Sequence, residues 1–528
     1  MGGADIHRRL GQLMQPIYKG GGKDRHCPSS YRGIYLLNTL TKLFEGLIES
    51  RLSQFTEKYD TLTSAQQGSR TSRQIHDAIY VHIATIQQNK QNGISSFCCF
   101  VDFATAYPSV HRNRLARTLK NYNITGKIWH LLKENSRKVR IRVLHALIEE
   151  GDEVDILRGL PEGSRLSPTL FGICAAELIH ELRTKFPELK FADITSIDDF
   201  NWIGAFLYVD DMVLIARSAT QLQHMIDACQ EWSERSRMKI NNDKTKIMVF
   251  YESLAQQASR HPSSFWLKPR FPLNNPPNPL PLDEPKEFTY LGLKLDPQMT
   301  MQPATSHTCQ KIHWAYQTVS AIAHSLKHDT PASLRGTRTS PLILYRIWQS
   351  CVLQHATQNL RYLPHPTQVQ QVQSALISSL QRTLHCFTAA QITMLEMGIP
   401  PLLLRQAEQL ISLHFRYTVT HTHLISAHLY TLRCQRKASN AHPRHSLENR
   451  IETAYHALGL STSYPGPPTM PMSVALAKPG NRGKSYTTYL KPLVTAQWIR
   501  QLTATHPPRH TLGPYPSALH DTRTLPVQ

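Results

Sequence analysis

The sequence predicts an α+β fold, in which strands and helices mix over about the first 250 residues and helices dominate from about 303 to 435. Two short apolar segments, SSFCCFVDF and AFLYVDDMVLIA, have the length and composition of strands. Other segments repeat apolar residues at a spacing of three and four, which is typical of amphipathic helices. A final stretch rich in Pro, His, Thr and Ser is expected to form a loosely ordered tail.

Each predicted element follows from a local pattern. Residues 34–58 place one set of apolar side chains on a single helical face: Leu36, Leu37, Leu40, Leu43, Phe44, Leu47, Ile48 and Leu52. A second helix is expected from Ser72 to Gln88. Ser167 is placed to cap a third helix and Pro168 to occupy its first turn. The remaining predictions are a helix at 219–237, strands at TKIMVF and EFTYLGLKL, and an exposed Pro-rich insertion at 256–285.

The net charge points to a polyanionic partner. The chain has 59 Lys and Arg against 38 Asp and Glu, a formal charge of +21. Residues 1–300 hold 38 basic and 32 acidic side chains (+6), whereas residues 301–528 hold 21 and 6 (+15). The positive field is therefore concentrated in the C-terminal part, and the alternative is a solvated basic surface.

Several classes of protein are not indicated. No run of about 18 apolar residues occurs and the N-terminus lacks an apolar signal core, so the sequence predicts an intracellular protein without a membrane span. The nine cysteines lack Cys-x-x-Cys spacing, which argues against a zinc site and for reduced thiols. GNRGKS is not a phosphate loop, because Lys478 stands where that motif requires Gly.

Three carboxylates are the main candidates for chemistry. The YVDD segment predicts a tight hairpin that presents Asp210 and Asp211 side by side, where they repel each other unless a cation neutralises them. Asp102 ends the apolar stretch FCCFV. If the strands meet, the three groups would hold two Mg²⁺ ions about 4 Å apart, an arrangement that serves phosphoryl transfer. A solvated turn is the alternative for YVDD.

A turn-rich segment at 159–168 precedes a helix start. Its glycines would let a bulky ligand approach the backbone, and the N-terminus of the following helix favours negative charge. A plain loop ahead of a core helix is the alternative.

Seven segments, in this order, resemble the reverse transcriptase of non-LTR (LINE-like) retrotransposons over roughly residues 16–300. Residues 16–52 and 65–79 are similar to two fingers motifs of that family. The segments FVDFATAYPSVHRNRL, GLPEGSRLSPTLF and FLYVDDMVLIA resemble its motifs A, B and C, and NNDKTKIMVF and EFTYLGLKLD resemble its motifs D and E. The ordered set makes the resemblance specific.

The resemblance implies a right-hand polymerase with fingers at 1–98, a palm with an antiparallel sheet at 99–300, a helical thumb and connection at 301–435, and a basic tail at 436–528. It implies an RNA-directed DNA polymerase that adds dNTPs to a DNA primer on an RNA template, with two Mg²⁺ ions, or Mn²⁺, as cofactor. The nucleus and the cytoplasm are the compartments that the family implies.

The positions of the motifs shape the alternatives. Because the first motif begins at residue 16, we expect endonuclease activity to be supplied elsewhere, and the scarcity of carboxylates in 440–528 predicts no RNase H domain. The main alternative is a truncated, inactive retroelement relic that binds nucleic acid. A telomerase-like host polymerase is disfavoured by the LINE-like form of the fingers motifs.

The family's functional residues map onto six positions. The resemblance implies that Asp102, Asp210 and Asp211 bind the catalytic metals. Tyr107 would be the aromatic gate that excludes a ribose 2′-hydroxyl, with a core aromatic as the alternative. Two basic residues complete the set: Arg32 would contact the incoming triphosphate, and Lys244 would assist the departure of pyrophosphate.

Three residues depart from the family's pattern. Pro108 stands where the family often has Asp, but that Asp is not one of the metal-binding three. Glu162 stands where many relatives have Gln in motif B. An acidic side chain near template or nucleotide would be unfavourable unless it turned away, so Glu162 is not among the predicted site residues. Ser69 replaces an aromatic residue before Arg70, which puts the packing at that position in question.

Overall fold

The computed structural model describes residues 12–135, 139–144, 153–190, 202–260, 265–268, 280–328, 341–385, 389–390, 393–394, 397–421, 424–437, 446–458, 494–498 and 500. The chain divides into two compact units, with the division between Leu291 and Gly292. Within the described ranges, every helix is too short or too polar to cross a lipid bilayer.

The first unit mixes strands and helices. Its strands are β1 (Gln12–Tyr18), β2 (Tyr31–Leu36), β3 (Ser96–Val101), β4 (Val139–Val143), β5 (Glu153–Ile156), β6 (Ala205–Tyr208), β7 (Asp211–Ala216), β8 (Lys246–Phe250), β9 (Trp266–Leu267), β10 (Leu280–Pro281) and β11 (Phe288–Tyr290). Its helices are α1 (Thr39–Lys58), α2 (Ile75–Gln91), α3 (Ala106–Ser109), α4 (Arg112–Asn121), α5 (Gly126–Asn135), α6 (Ser167–Lys185), α7 (Ala219–Arg235) and α8 (Leu254–Ser259).

The second unit is helical after one short strand, β12 (Leu293–Leu295). Its helices are α9 (Gln302–His328), α10 (Pro341–Trp348), α11 (Gln354–Gln358), α12 (Pro366–Leu384), α13 (Leu402–Phe415), α14 (Ile425–Lys437) and α15 (Leu447–Ala457), with π-helical turns at Gln349–Leu353 and Arg416–Thr420.

The central sheet of the first unit has the strand order β6-β7-β3-β8, and all neighbouring strands are antiparallel. Every residue of β3 is buried, because successive side chains of a strand point to opposite faces and both faces are covered. Cys99 packs in the main core with residues of α6 and α7. On the opposite face, Phe100 contacts the ring of His82 from α2.

A second sheet has the order β2-β1-β4-β5. Strand β1 pairs with β2 in antiparallel fashion and with β4 in parallel fashion. This sheet contains Arg32, which lies opposite Ile17 in the β1–β2 register.

The first predicted helix is wrong at its start and only partly right on its face. Residues 34–36 belong to β2, and the Asn38 side chain caps α1 by accepting a hydrogen bond from the Thr41 amide (2.8 Å). Ile48 and Leu52 are buried as predicted, whereas Leu40, Leu43 and Leu47 are exposed. The rest of the buried face is formed by polar residues: Thr41, Glu45 and Thr56. Hydrogen bonds to Glu45 from the 159–168 segment orient the helix in this way.

Three other predictions need correction. Ser167 does not cap α6: Leu166 holds the N-cap position, and Ser167 Oγ donates to the Pro161 carbonyl (2.8 Å). The predicted strand EFTYLGLKL is divided into β11 and β12 by a turn at Leu291 and Gly292, whose φ values are 47° and 83°. The third correction concerns the Pro-rich insertion.

The Pro-rich insertion is packed at its ends rather than exposed throughout. Strands β9 and β10 pair with each other, and Phe265, Leu267 and Leu282 are buried in the main core. Residues 261–264 and 269–279 lie outside the described residues.

Part of the predicted tail is folded. Helix α15 packs against α13, and its residues Ile451 and Tyr455 are buried. The Arg450 guanidinium donates to the carbonyl oxygens of Leu363 (2.8 Å) and Arg361 (2.9 Å). Apart from this helix with its flanks, 436–437, 494–498 and 500, the predicted tail lies outside the described residues.

Candidate active site

The YVDD segment forms the predicted tight hairpin between β6 and β7. Tyr208 pairs with Asp211, so Val209 and Asp210 are the two residues of the turn. Val209 has a φ of 62°, a conformation that β-branched residues rarely adopt. Backbone strain of this kind persists where neighbouring structure over-determines it, often at functional sites.

The neighbouring structure is the segment 65–68 from the second fingers-like motif. The Leu207 amide donates to the Ala65 carbonyl (2.9 Å), and the Gln67 amide donates to the Leu207 carbonyl (2.7 Å). A Cβ atom at Gly68 would lie 2.2 Å from the Val209 backbone nitrogen. Position 68 therefore accepts only glycine while the turn keeps this conformation.

Asp102 lies directly beyond the end of β3. Val101 pairs with Met212, so the antiparallel register brings Asp102 opposite Asp211. The Asp102 backbone is fixed on its other side by Thr245 Oγ1 (3.2 Å) and the Asn241 amide (2.8 Å). Sequence spacing could not decide whether the two strands meet, and the structure brings them together.

The three carboxylates lie close enough to repel one another. Burial raises the pKa of Asp210, and repulsion from Asp102 acts in the same direction. Asp211 is partly open to solvent, yet burial and then repulsion from Asp210 and Asp102 raise its pKa to about 6. Arg32 and Lys244 oppose the rise at Asp210. The cluster therefore carries more negative charge than its cations neutralise.

A divalent cation fits this donor set. Asp102 Oδ2 is buried and has no hydrogen-bond partner, and its nearest cation is Lys244 Nζ at 3.5 Å. Carboxylate oxygens are the ligands that Mg²⁺ and Mn²⁺ prefer. Among the described residues, no three His, Cys, Asp or Glu side chains are close enough to coordinate one metal ion as they stand. The three aspartate side chains would therefore have to move closer together when a metal ion binds.

Tyr107 is held beside the carboxylates by the 159–163 turn. Its carbonyl accepts a hydrogen bond from the Leu160 amide (2.8 Å), and its ring lies 5.4 Å from that of Phe171. Burial, and then the charges of Asp210 and Glu162, raise the pKa of Tyr107. The ring is half-buried and packs against the main core. Tyr107 is therefore in part a core aromatic, and its open side remains available for the role of aromatic gate.

The residue that departs from the family at position 108 has a packing role. A Cβ atom at Gly159 would lie 2.7 Å from both the Cα and the carbonyl oxygen of Pro108. Gly159 has a φ of 91°, which L side chains rarely adopt. The motif A and motif B segments are thus in direct backbone contact.

Glu162 lies beside Arg32, one of the predicted site residues. Its Oε2 lies 3.6 Å from Arg32 Nε, and its carbonyl accepts a hydrogen bond from the Tyr35 amide (2.7 Å). Burial and then repulsion from Asp210 raise the pKa of Glu162, whereas Arg32 and Lys19 act to lower it. Sequence reasoning missed both Glu162 and Lys19.

The cations of the site form a rim that includes Lys19. Burial lowers the pKa of Lys19, and the charges of Lys23, Lys244 and Arg32 lower it further. Lys19 therefore lies within electrostatic range of Lys244 and Arg32. The signal that could have found Lys19 is its position in the first fingers-like motif, PIYKGGGK.

The departure at Ser69 leaves no packing defect among the described residues. Ser69 is exposed with a φ of 55°. The neighbouring Arg70 supplies the packing: its guanidinium donates twice to Glu57 (2.7 Å each) and also to the carbonyls of Thr63 (2.6 Å) and Gln66 (3.0 Å). Arg70 therefore fixes the segment that contacts the YVDD turn.

A further turn contact comes from α1. The Glu45 carboxylate accepts hydrogen bonds from Ser164 Oγ (2.9 Å) and the Arg165 amide (3.2 Å). Burial raises the pKa of Glu45 while these bonds lower it. Glu45 thus ties the motif B turn to the fingers-like region.

An open cavity of ≈ 350 Å³ adjoins the carboxylates. Asp102, Asp211 and Lys244 line one side, and Phe288 and Tyr290 of β11 line another. The segments that resemble motifs A, C, D and E therefore meet around one space.

Three carboxylates brought together at the ends of antiparallel strands are typical of enzymes that transfer phosphoryl or nucleotidyl groups with bound metal ions. The comparison with known families is more specific. Residues 17–295 match the family "Reverse transcriptase (RNA-dependent DNA polymerase)", and the chain belongs to this family. Its fold class is that of a right-hand polymerase, as the sequence predicted, and the family generally uses divalent metal ions.

The related proteins come from mobile elements. The chain is 26% identical over 353 residues to a probable RNA-directed DNA polymerase from transposon BS of Drosophila melanogaster, a match that covers 62% of this chain and 34% of the relative. It is 26% identical over 242 residues to the RNA-directed DNA polymerase from mobile element jockey of the same species, covering 43% and 24%. These relatives confirm the resemblance to non-LTR retrotransposon reverse transcriptases. The matched part spans 34% or less of their length.

Solved polymerases are also similar to this chain. A telomerase from Candida albicans in complex with an RNA fragment matches with a TM-score of 0.37 and 10% identity, over 82% of this chain and 67% of that one. An RNA-dependent RNA polymerase of a human picorbirnavirus matches with a TM-score of 0.38 and 11% identity, over 80% and 64%.

Proposed function

We propose that this chain is the RNA-directed DNA polymerase of a mobile element and adds dNTPs to the 3′ end of a DNA primer on an RNA template. One observation carries the proposal. Asp102 lies opposite Asp211 and close to Asp210, inside the region that matches the reverse transcriptase family, and the three carboxylates outnumber Lys244, the cation that pairs with Asp102.

The three aspartates would hold two divalent ions, Mg²⁺ or in its place Mn²⁺. When bound, these ions supply the positive charge that activates the primer 3′-hydroxyl and stabilises the leaving pyrophosphate. The protein preorganises the backbone of the site, because the β3–β7 register holds Asp102 opposite Asp211 and the 65–68 segment holds the turn that carries Asp210, so only the carboxylate side chains would have to move.

The cationic rim would bind the triphosphate. Arg32 is exposed and its partner Glu162 lies at 3.6 Å, so an incoming phosphate would replace Glu162 as the partner of Arg32. The raised pKa of Glu162 makes that carboxylate easier to protonate when the pair is broken. Lys19 would add a second charge, and Lys244 would move from Asp102 towards the pyrophosphate.

Tyr107 would select the sugar. Its ring is fixed from behind by Phe171 and its backbone by Leu160, so it cannot retreat easily from a nucleotide bound at Asp210. A 2′-hydroxyl on that nucleotide would therefore clash with the ring.

The nucleic acid would be held by the remaining domains. The proposed assignment is fingers at 1–98, palm at 99–300, and thumb and connection at 301–435. The +15 charge of residues 301–528 would contact the phosphates of the template and primer without reading their bases.

The test is a primer-extension assay with poly(rA), oligo(dT), dTTP and Mg²⁺. We expect incorporation by the wild-type chain and almost none by Asp210→Asn. The matched control is Asp155→Asn, which removes an exposed carboxylate of β5 that pairs with Arg140 and should retain activity. If the wild type and Asp210→Asn incorporate equally little, the polymerase proposal fails and the inactive relic remains.

A further inference from the structure

A second polar cavity, of ≈ 410 Å³, lies in the first unit along one side of α4, beside the middle of α6 and the end of α7. Four arginines line it: Arg114, Arg117, Arg235 and Arg237. None of its lining residues belongs to the candidate active site, so the function proposed above leaves this cavity unexplained.

The groups of this cavity that are open to a ligand are arginine side chains. Arg117, Arg235 and Arg237 are exposed, and a guanidinium group presents several donors and no acceptor. Three further polar atoms of the lining residues, His111 Nδ1, Arg114 Nε and Ser236 Oγ, have no hydrogen bond but are sealed from solvent, so a group in the cavity would not contact them. Recognition of a ligand here therefore depends on the arginines.

The acidic residues nearby neutralise only part of the positive charge. The Glu177 carboxylate accepts hydrogen bonds from Thr118 Oγ1 and Arg114 Nη2 (2.7 Å each), and Arg235 pairs with Glu181 (2.5 Å). Arg117 and Arg237 at the rim of the cavity therefore have no carboxylate partner among the described residues.

We infer that this cavity is a binding site for a phosphate group. A phosphate offers several acceptor oxygens to donors that converge from different elements, and it suits the fork of an arginine better than a single-point anion does. The positive rim disfavours a metal cation. The volume lies at the lower end of the roughly 300–1,000 Å³ of ligand sites, so it has room for a phosphate and part of the molecule attached to it.

The phosphate has two possible sources with the same chemistry: a free phosphate or phosphorylated small molecule, and a backbone phosphate of the RNA template. Both would accept hydrogen bonds from the guanidinium groups of Arg117 and Arg237. The test separates them by competition.

The experiment measures binding of inorganic phosphate to the full chain by isothermal titration at low ionic strength. Because Arg117 and Arg237 are exposed, the double variant Arg117→Gln/Arg237→Gln should fold, and we expect its affinity to fall at least about tenfold. The control Arg51→Gln removes an exposed charge from α1 and should leave the affinity unchanged.

Competition with oligo(rA) identifies the source. Displacement of phosphate from the wild type by the RNA assigns the site to the template backbone, and unchanged phosphate binding in saturating RNA assigns it to a free phosphate. The inference is overturned if the wild type shows no saturable phosphate binding, or if the double variant binds as well as the wild type. All these readouts are independent of polymerase activity.

Discussion

Two charged clusters in the first unit use the same kinds of residue in opposite ways. The Arg70 side chain is 4% exposed, and each of its three guanidinium nitrogens donates a hydrogen bond, to the Glu57 carboxylate or to the carbonyls of Thr63 and Gln66. At the ends of β3 and β7, by contrast, Asp102 Oδ2 has no hydrogen bond and the pKa of Asp211 is raised. The paired Arg70 stabilises the fold, whereas the incompletely paired carboxylates depend on the surrounding fold to keep them close together.

The largest expected effect separates activity from stability at the unneutralised cluster. Asp102→Asn should lower the rate of dNTP incorporation by about 10³-fold, because a metal ligand supplies several kcal/mol of transition-state stabilisation. The same change removes repulsion, so the free energy of unfolding of the metal-free chain should not fall. Primer extension and urea denaturation measure the two quantities. A large loss of stability would show that Asp102 is a structural residue.

The neutralised cluster should behave in the opposite way. Arg70→Met leaves Glu57 and two carbonyl oxygens without their donor, and we expect the free energy of unfolding to fall by roughly 2–4 kcal/mol. Urea denaturation measures this change. In the control Arg140→Met, an exposed pair with Asp155 is lost, and the change should be within about 1 kcal/mol. Equal losses in the two variants would contradict the distinction.

Gly68→Ala tests the contact that joins the two clusters. The added Cβ would overlap the Val209 backbone nitrogen, and overpacking of this kind costs about 1–3 kcal/mol of stability. Because the overlap displaces the turn that carries Asp210, the rate of incorporation by folded protein should fall as well. A matched change, Gly93→Ala, has open space around it and should affect stability without affecting the rate per folded molecule.

His82 represents a third state, a titratable group kept uncharged by burial. It lies among Phe100, Phe250 and Tyr290 with neither ring nitrogen bonded, and burial lowers its pKa to about 3. In the unfolded chain His82 takes up a proton as the pH falls below about 6.5, whereas in the folded chain it stays neutral. The contribution of neutral His82 to the free energy of unfolding is therefore fully present above about pH 6.5 and decreases as the pH falls below that value. At pH 5 the loss is up to about 2 kcal/mol.

His82→Leu removes this group, and the difference from the wild type isolates its contribution. Urea denaturation at pH 5 and pH 7 should show a shallower pH dependence for the variant. An equal dependence in both proteins would mean that His82 becomes protonated in the folded state.

The sequence was informative where a residue's role follows from its own strand. The apolar runs around Asp102 and YVDD predicted two strands with carboxylates at their ends, and the structure pairs them. It was uninformative where a role depends on distant contacts. Glu162 enters the site because its carbonyl bonds to Tyr35 of β2, and the buried face of α1 is set by Glu45, whose partner Ser164 lies 119 residues away. No periodicity within a segment contains such information.

The contact between Gly68 and Val209 also limits how the enzyme can be engineered. The two positions lie in different motifs, yet one backbone atom of the turn occupies the space that a side chain at 68 would need. In a mutant library that varies position 68 alone, most variants would have a displaced YVDD turn. In a library that varies only position 209, Gly68 would still leave room for the backbone of the turn. Residues able to adopt a positive φ at 209, such as glycine or asparagine, would relieve the strain there. Positions 68 and 209 should therefore be randomised as a pair and screened as a single site.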